Sequence, residues 1–238
     1  MGILVVTGTG TDVGKTVVTA AVAALAGARG RSVAVLKPAQ TGVLAGEPGD
    51  LAHVRALAGD VATCELRRLP DPLSPEAAAR LAGLRPVAPA EIAATAGDLA
   101  ADHDLVLIEG AGGLLVRFDP EGGTLADVAW SLGAPVLLVA HAGLGTLNTT
   151  ALTAEALVRR GIECIGVVVG RWPEEPDLAT RSNLIDLPVA AGAPLLGVLP
   201  DGIAGLSPEE FLAVARRSLS PWLDGDFDSD VFTAAHTA

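Results

Sequence analysis

The stretch of residues 3–19, ILVVTGTGTDVGKTVVT, constrains the fold more than any other part of the chain. An apolar run typical of a buried strand leads into a loop of glycine and threonine, and Gly14, Lys15 and Thr16 then begin a helix. The backbone N–H groups of such a loop converge on an anion, and the helix N-terminus adds partial positive charge. Lys15 is placed to reach the outer phosphates of a nucleotide, and the Thr16 hydroxyl to bind magnesium. The stretch therefore predicts a site for a nucleoside triphosphate.

This loop is one residue longer than the usual phosphate loop, G-x-x-x-x-G-K-(S/T). Thr9 stands where that pattern has its first glycine, and Gly8 precedes it. A longer loop that contains Thr9, Thr11 and Asp12 can turn polar side chains toward a second ligand beside the terminal phosphate.

Apolar runs and helical segments alternate along the rest of the chain. The runs are short, rich in Val, Ile and Leu, and bounded by Gly, Pro or a charge, as in strands that are buried on both faces. This alternation predicts an α/β fold of the phosphate-loop NTPase type: a three-layer sandwich with a mostly parallel central sheet flanked by helices. The predicted strands are 3–7, 32–37, 104–109, 135–140, 164–170 and 195–199, and the predicted helices are 15–28, 50–58, 75–82, 90–101, 125–132, 147–160, 177–187 and 208–219.

The length of 238 residues and an apolar content of 50% are enough for one full core. We therefore expect a single phosphate-loop domain over residues 1–223. Residues 224–238, DGDFDSDVFTAAHTA, carry four aspartates and little periodicity. We expect them to form a mobile acidic tail that can be removed with little effect.

Charge and cysteine usage exclude several classes of partner. A net charge of −12 argues against nucleic acid or an anionic membrane surface. No charged leader is visible, and no apolar run approaches the roughly 20 residues of a membrane span. Cys64 and Cys164 are far apart and belong to no C-x-x-C pattern, so neither a zinc site nor a disulfide is predicted. These features favour a cytoplasmic enzyme.

Charged residues follow two of the predicted strands, at the sheet edge where ligands bind in such folds. Lys37 ends the second strand in LKPAQTG and is either a catalytic cation or a surface lysine. Glu109 ends the third in LVLIEGAGG and is either a magnesium ligand or a solvated carboxylate. Asp50, in GEPGDLAHVR, is placed either to cap the next helix or to join the metal site.

Six segments taken together resemble the dethiobiotin synthetase family in order and spacing, over about residues 3–202. They are TGTGTDVGKT, LKPAQTG, Asp50, IEGAGG, LGTLNTTALT and APLLGVLP. The lengthened phosphate loop and the K-P-x-x-(S/T)-G element are specific to that family. The resemblance implies an ATP- and Mg²⁺-dependent cyclo-ligase of biotin biosynthesis. Such an enzyme forms the ureido ring of dethiobiotin from 7,8-diaminopelargonic acid and CO2, through a carbamate and a carbamic-phosphoric anhydride.

The same resemblance implies roles for individual residues. Lys15 and Lys37 would be catalytic, neutralising the γ-phosphate and the carbamate, while Thr16, Asp50 and Glu109 would hold Mg²⁺. The implied nucleotide-binding residues are Asp12, Val13, Gly14, Lys15, Thr16, Val17, Asp50, Glu109, Gly110, Ala111, Gly112, Gly170, Arg171, Pro200, Asp201 and Gly202, and the implied substrate-binding residues are Thr11, Thr41, Gly145, Thr146, Leu147 and Asn148.

Two further expectations follow from the resemblance. The helix that begins near Gly145 resembles the element that receives the substrate carboxylate from the neighbouring subunit, which implies a homodimer with the substrate site at its interface. Family members often read adenine with an Asn–Asp pair, where this chain has Gly170 and Arg171. Because neither side chain supplies an amide, we expect loose selectivity for the nucleobase.

Two other classes of protein remain as alternatives. A nucleotide-switched, partner-binding ATPase of the partitioning type shares the fold class, but it usually has a second lysine early in the loop, where this chain has Gly10, and it often ends in a basic amphipathic helix. An amide-forming synthetase related to corrinoid amidases needs a glutaminase domain with a nucleophilic cysteine, and we expect no room for one in this chain. The dependence of ATP hydrolysis on a diamine, a protein partner or glutamine distinguishes the three.

Overall fold

The computed structural model describes residues 2–237; Met1 and Ala238, the outer ends of the predicted domain and tail, lie outside the described residues. Strands and helices alternate along nearly the whole chain. They are β1 Ile3–Gly8, α1 Lys15–Ala28, β2 Val33–Thr41, α2 Asp50–Ala58, β3 Ala62–Leu69, α3 Pro75–Ala82, α4 Pro89–Asp102, β4 Leu105–Gly113, α5 Leu125–Leu132, β5 Val136–Ala140, α6 Thr146–Arg159, β6 Cys164–Trp172, α7 Leu178–Ala191, β7 Leu195–Pro200, α8 Pro208–Ser218 and α9 Ser229–Thr237.

The seven strands form one sheet in the order β3-β2-β4-β1-β5-β6-β7. Each neighbouring pair runs parallel, so all carboxyl ends meet at one edge. The predicted α/β fold with a parallel central sheet is confirmed. Within residues 2–237, no helix is long and apolar enough to cross a membrane.

Successive residues of the central strands pack against opposite helix layers. Leu4 and Val6 of β1 belong to a buried cluster with α1, α2 and α8. Val5 belongs to a second cluster with α3, α4 and α5. A parallel sheet that is covered on both faces needs apolar residues at every position, which explains the continuous Val, Ile and Leu runs.

Strand β3 is absent from the predicted set. Its sequence, ATCELRRL, is polar and mostly half-buried because β3 lies at the edge of the sheet and pairs only with β2. Arg67 is bonded to Glu91 and Arg68 to Glu65, so the charged side chains find partners outside the core. Edge strands commonly carry such charges, and the pattern then loses the apolar run by which a buried strand is recognised.

Most predicted helices agree with the structure to within two residues, with α7 as the largest difference. Pro188 suggests an end near residue 187, but α7 continues to Ala191 and ends at Gly192, which has φ 60°. Leu184, Leu187 and Ala191 all pack into one buried cluster. Their burial holds the last turn in place despite the hydrogen bond that a proline removes.

Where a mobile acidic tail is predicted, the structure has the short helix α9. Phe232 of α9 packs edge-on against Trp172, with ring centroids 5.5 Å apart, and His236 stacks on Phe232 at 4.0 Å. Phe227, just before α9, is buried. Phe232 and His236 are four residues apart and therefore lie on one face of α9. The aspartates that precede them make this spacing hard to recognise in the sequence.

We expect Phe232→Ala to lower the free energy of unfolding by about 1–2 kcal/mol, because a partly buried phenyl ring loses its apolar contacts with Trp172. Urea denaturation measures the change. Val231→Ala is the matched control, since Val231 lies on the same helix with 66% of its surface exposed. An unchanged midpoint for Phe232→Ala would contradict the docking of α9 on the sheet.

Candidate active site

One cavity of about 920 Å³ lies at the carboxyl edge of the sheet. The segments that follow β1, β2, β3, β4, β6 and β7 all contribute to its wall. The lining includes most of the residues that the sequence predicts: Thr11, Asp12, Gly14, Lys15, Thr16, Val17, Lys37, Thr41, Asp50, Glu109, Gly110, Ala111, Gly112, Gly170, Arg171, Pro200, Asp201 and Gly202. Val13 and residues 145–148 are not among the lining residues.

The phosphate loop is folded around its own lysine. Lys15 Nζ donates a hydrogen bond to the carbonyl oxygen of Gly10 at 2.8 Å. Asp12 adopts φ 59°, in the left-handed region that non-glycine residues seldom occupy. The Val13 side chain is buried in the core with 2% of the residue's surface exposed, so it anchors the loop.

Two glycines allow the phosphate loop to lie directly on the end of β6. A Cβ atom on Gly14 would lie 2.5 Å from the carbonyl oxygen of Gly170, and a Cβ on Gly170 would lie 2.1 Å from that of Val13. Both distances are far below van der Waals contact. Gly170 is therefore required to be a glycine by the backbone packing beneath the loop, whatever it contributes to a bound nucleotide.

The sheet register brings Lys37 beside Glu109. Leu36 of β2 pairs with Ile108 of β4, so the next residue of each strand lies at the same level. Lys37 Nζ lies 2.8 Å from Glu109 Oε1 and 2.5 Å from Asp50 Oδ2. The lysine and the glutamate are both buried, with 3% and 0% of their surfaces exposed. The surface-lysine and solvated-carboxylate alternatives therefore do not describe these two residues.

Asp50 does not cap the helix that it begins. The N-cap of α2 is Gly49, and the Asp50 side chain is directed to Lys37. The backbone N–H of Asp50 instead donates to Gln40 Oε1 at 2.7 Å. The structure therefore contradicts the helix-cap alternative for Asp50, and magnesium binding by its carboxylate stays a prediction.

The cluster shifts the proton affinities of its members in opposite directions. Burial alone would lower the pKa of Lys37, but the attraction of Glu109 and Asp50 outweighs it and raises that pKa above its ordinary value. Burial alone would raise the pKa of Asp50, but the Lys37 cation lowers it. Burial, followed by repulsion from Lys37, lowers the pKa of Lys15 to about 8. Lys37 is thus a fixed cation, whereas Lys15 forms no salt bridge with any residue from 2 to 237.

Oxygen atoms suited to a magnesium ion converge beside the phosphate loop. Thr16 Oγ1 donates to Glu109 Oε1 at 2.8 Å. Glu109 Oε2 is buried and has no hydrogen-bond partner among the described residues. Over residues 2–237, no cluster of three or more His, Cys, Asp or Glu side chains forms a complete metal site. Mg²⁺ commonly takes one or two carboxylates together with phosphate oxygens and water, and the donor set here fits that pattern.

The far end of the cavity carries an ion pair between two predicted base-side residues. Arg171 Nε donates to Asp201 Oδ1 at 3.0 Å and Arg171 Nη2 to Oδ2 at 3.3 Å. Asp201 also accepts from the backbone N–H of Gly202 at 2.9 Å. These hydrogen bonds, the Arg171 bond first, lower the pKa of Asp201. Both charged side chains are about half exposed and engage each other.

The predicted substrate residues separate into two groups. Thr11 and Thr41 line the cavity, whereas Gly145 and the first turn of α6 lie outside it. Asn183 Nδ2 fixes the loop before α6 by donating to the carbonyl oxygens of Ala142 at 2.7 Å and Gly143 at 3.0 Å. The tip of that loop is open to solvent.

Several lining residues were not predicted. The sequence does not predict the wall after β3, because β3 has no apolar run. Gln40 lies inside the family element LKPAQTG, and that element is the signal that points to it. The unpredicted lining residues are Ala39, Gln40, Pro72, Leu73, Ser74, Pro75, Val116, Ile203 and Ala204.

We expect Lys15→Met to stabilise the nucleotide-free protein near pH 7 by about 1–2 kcal/mol, because it removes a buried charge. In the wild type, Lys15 is charged in both the folded and the unfolded state below a pH of about 8, so the unfavourable burial is fully present there. As the pH rises from about 8 toward 10.5, the folded state releases this proton first, and the advantage of the variant disappears.

Denaturation of both proteins across this pH range measures the difference. Arg29→Met serves as the control because Arg29 is an exposed cation at the end of the same helix. A constant difference between wild type and Lys15→Met from neutral to alkaline pH would contradict the lowered pKa.

Comparison with known proteins agrees with this geometry. A family model described as an AAA domain matches residues 3–208. The cell division ATPase MinD of Pyrococcus furiosus superposes with a TM-score of 0.54 at 19% identity, covering 90% of this chain and 97% of that one, which shows a shared fold.

Curated relatives resemble the chain over nearly its whole length. The ATP-dependent dethiobiotin synthetase BioD of Streptomyces coelicolor is 62% identical over 236 residues, 99% of either chain. Its counterpart from Saccharopolyspora erythraea is 65% identical over 94% of this chain and 98% of its own. That of Corynebacterium kroppenstedtii is 45% identical over 93% and 95%. With this identity over its full length and a phosphate loop at the edge of a parallel sheet, the chain belongs to the ATP-dependent dethiobiotin synthetases.

Proposed function

We propose that this chain, an ATP-dependent ligase of biotin biosynthesis, closes the ureido ring of dethiobiotin from 7,8-diaminopelargonic acid, CO2 and ATP. The observation that carries the proposal is the buried Lys37, held 2.8 Å from Glu109 and 2.5 Å from Asp50 in the same cavity as the phosphate loop. A fixed cation beside a triphosphate site suits a reaction that brings two anions together.

The reaction needs phosphate transfer because a carbamate oxygen is a poor leaving group. One amine of the substrate adds to CO2 and loses a proton, which gives the carbamate. A carbamate oxygen attacks the γ-phosphorus and ADP leaves. The second amine then attacks the carbamoyl carbon, inorganic phosphate departs with that oxygen, and the new ring nitrogen loses its proton. The phosphoryl transfer requires that two anions, the carbamate and the triphosphate, be held close together.

The two lysines have separate tasks in this scheme. Lys15 exchanges its bond to the Gly10 carbonyl for the outer phosphates of ATP, whose charge restores the proton affinity that burial lowers. Lys37 faces the carbamate with a charge that Glu109 and Asp50 keep in place. Thr41, at the end of β2, lines the same wall for the diamine or carbamate.

Thr16, Asp50 and Glu109 would hold Mg²⁺. The unpartnered Glu109 Oε2 supports this assignment, since a buried carboxylate oxygen without a donor is unfavourable unless a cation meets it. Bound there, the ion would neutralise charge on the phosphates.

A homodimer would complete the substrate site. The N-terminus of α6 does not line the cavity of its own chain, although the family resemblance assigns residues 145–148 to the substrate. Leu144, next to them, is 93% exposed, and Leu152 of α6 is 57% exposed. A second copy that buries these leucines would bring the positive end of α6 to the substrate carboxylate.

The direct test is mass detection of dethiobiotin formed from the diamine, bicarbonate, Mg²⁺ and ATP. We expect Lys37→Met to lower kcat at least a hundredfold, a loss typical of removing one preorganised charge from a transition state. The Michaelis constant for ATP should change much less, because Lys15 and the loop remain. Arg85→Met, which removes an exposed cation remote from the cavity, is the control. Lys37→Met activity above about a tenth of wild type, a loss of less than ~1.4 kcal/mol, would contradict the catalytic role.

We expect GTP, CTP and UTP to support ring closure with kcat/KM within roughly a hundredfold of ATP, a difference of about 2.7 kcal/mol. Arg171 and Asp201 are hydrogen-bonded to each other, and Gly170 has no side chain. Few polar groups of the protein therefore lose a hydrogen-bond partner when the base changes. Steady-state kinetics with all four triphosphates at saturating diamine give the comparison. A preference for ATP beyond a thousandfold would mean that backbone groups near Pro200 read adenine.

A further inference from the structure

Gln40 is a buried polar residue to which the proposed reaction assigns no role. It is the penultimate residue of β2, and only 5% of its surface is exposed. Both ends of its amide are used: Oε1 accepts from the backbone N–H of Asp50 at 2.7 Å, and Nε2 donates to the carbonyl oxygen of Thr41 at 3.3 Å. Gln40 therefore bridges the end of β2 and the start of α2.

The start of α2 has no cap of its own. Its N-cap residue is Gly49, which has no side chain to satisfy the first free N–H groups of the helix. A Cβ atom on Gly49 would lie 2.6 Å from Gln40 Oε1, so the glycine leaves the space that the glutamine fills. The cap is thus supplied from β2 instead of from the preceding loop.

This bond fixes the backbone of the residue whose carboxylate meets Lys37. Residues 42–48 before it are mostly exposed, and 31% of the Asp50 side chain is exposed as well. Lys37 and Gln40 both belong to β2, so Asp50 is held through its carboxylate and its N–H by one rigid strand. A shift of the N–H would move the carboxylate away from Lys37.

We propose that Gln40 is a positioning residue that sets the Asp50 carboxylate against Lys37 and the magnesium position. The inference rests on the proposed function, because it takes Asp50 as a ligand of Mg²⁺. Loss of the Gln40 acceptor should therefore weaken the effect of Mg²⁺ on nucleotide binding while binding of the nucleotide without metal stays unchanged.

The experiment is calorimetric titration of ADP into the protein at a series of Mg²⁺ concentrations, with thermal denaturation of each variant. Gln40→Met keeps the length of the side chain and removes the acceptor. In this variant, half of the effect of Mg²⁺ on ADP affinity should require five- to tenfold more Mg²⁺ than in the wild type. Gln40→Glu restores an acceptor oxygen and should need no more than twice the wild-type concentration. If Gln40→Met does not fold, Gln40→Asn replaces it, since the shorter amide cannot reach the Asp50 N–H.

Two further variants separate the possible outcomes. Arg68 donates to the carbonyl oxygens of Leu44 and Glu47 in the same loop. Arg68→Gln removes these bonds but none to Asp50, so it should leave the Mg²⁺ dependence unchanged. Asp50→Asn should raise the Mg²⁺ requirement. If Asp50→Asn does so and Gln40→Met only lowers the melting temperature, the positioning role is wrong and the proposed function stands. If Asp50→Asn has no effect either, the metal assignment of Asp50 fails, and the inference fails with it.

Discussion

The buried ion pair of Lys37 with Glu109, joined by Asp50, is the interaction on which the site depends. Taking charges out of water costs several kcal/mol per ion, and an apolar replacement of equal volume is often at least as stable. A contribution to folding stability therefore does not explain the cluster well. A preorganised electrostatic environment for two anions explains it better. Burial also lowers the pKa of Lys15, so this second cation too lowers folding stability at neutral pH.

Backbone geometry makes this cluster possible. Pairing of Leu36 with Ile108 brings the next residues of β2 and β4, Lys37 and Glu109, side by side. The close contact of Gly14 with Gly170 places the phosphate loop on β6. Lys37 and Glu109 lie within two buried strands, and Lys15 begins a helix, so the core determines the position of all three. The alternative of a partner-binding ATPase rests on the fold alone, since MinD is 19% identical, whereas the three synthetases compared above are 45–65% identical over nearly the full chain.

The sequence alone is enough to predict those elements whose local pattern of residues fits only one type of structure. The buried strands and the phosphate loop are of this kind. Strand β3 and helix α9 escape prediction because charges at an exposed edge and aspartates before α9 mask their apolar contacts. The role of the Asp50 side chain is not predictable for a different reason. A carboxylate at the start of a helix can cap that helix or bind a ligand, and only the positions of Lys37 and Gln40 in the folded chain distinguish these roles.

The activity that we propose for this cavity is the activation of a carbamate by phosphorylation. It is tested most directly by single-turnover reaction of the wild-type protein with diamine, ATP, Mg²⁺ and ¹⁸O-labelled CO2, quenched before CO2 exchanges oxygen with water. If the carbamate oxygen attacks the γ-phosphorus and leaves with it, each inorganic phosphate should carry one ¹⁸O atom and match dethiobiotin in amount. Dethiobiotin formed with unlabelled phosphate, or phosphate released without diamine, would contradict the account.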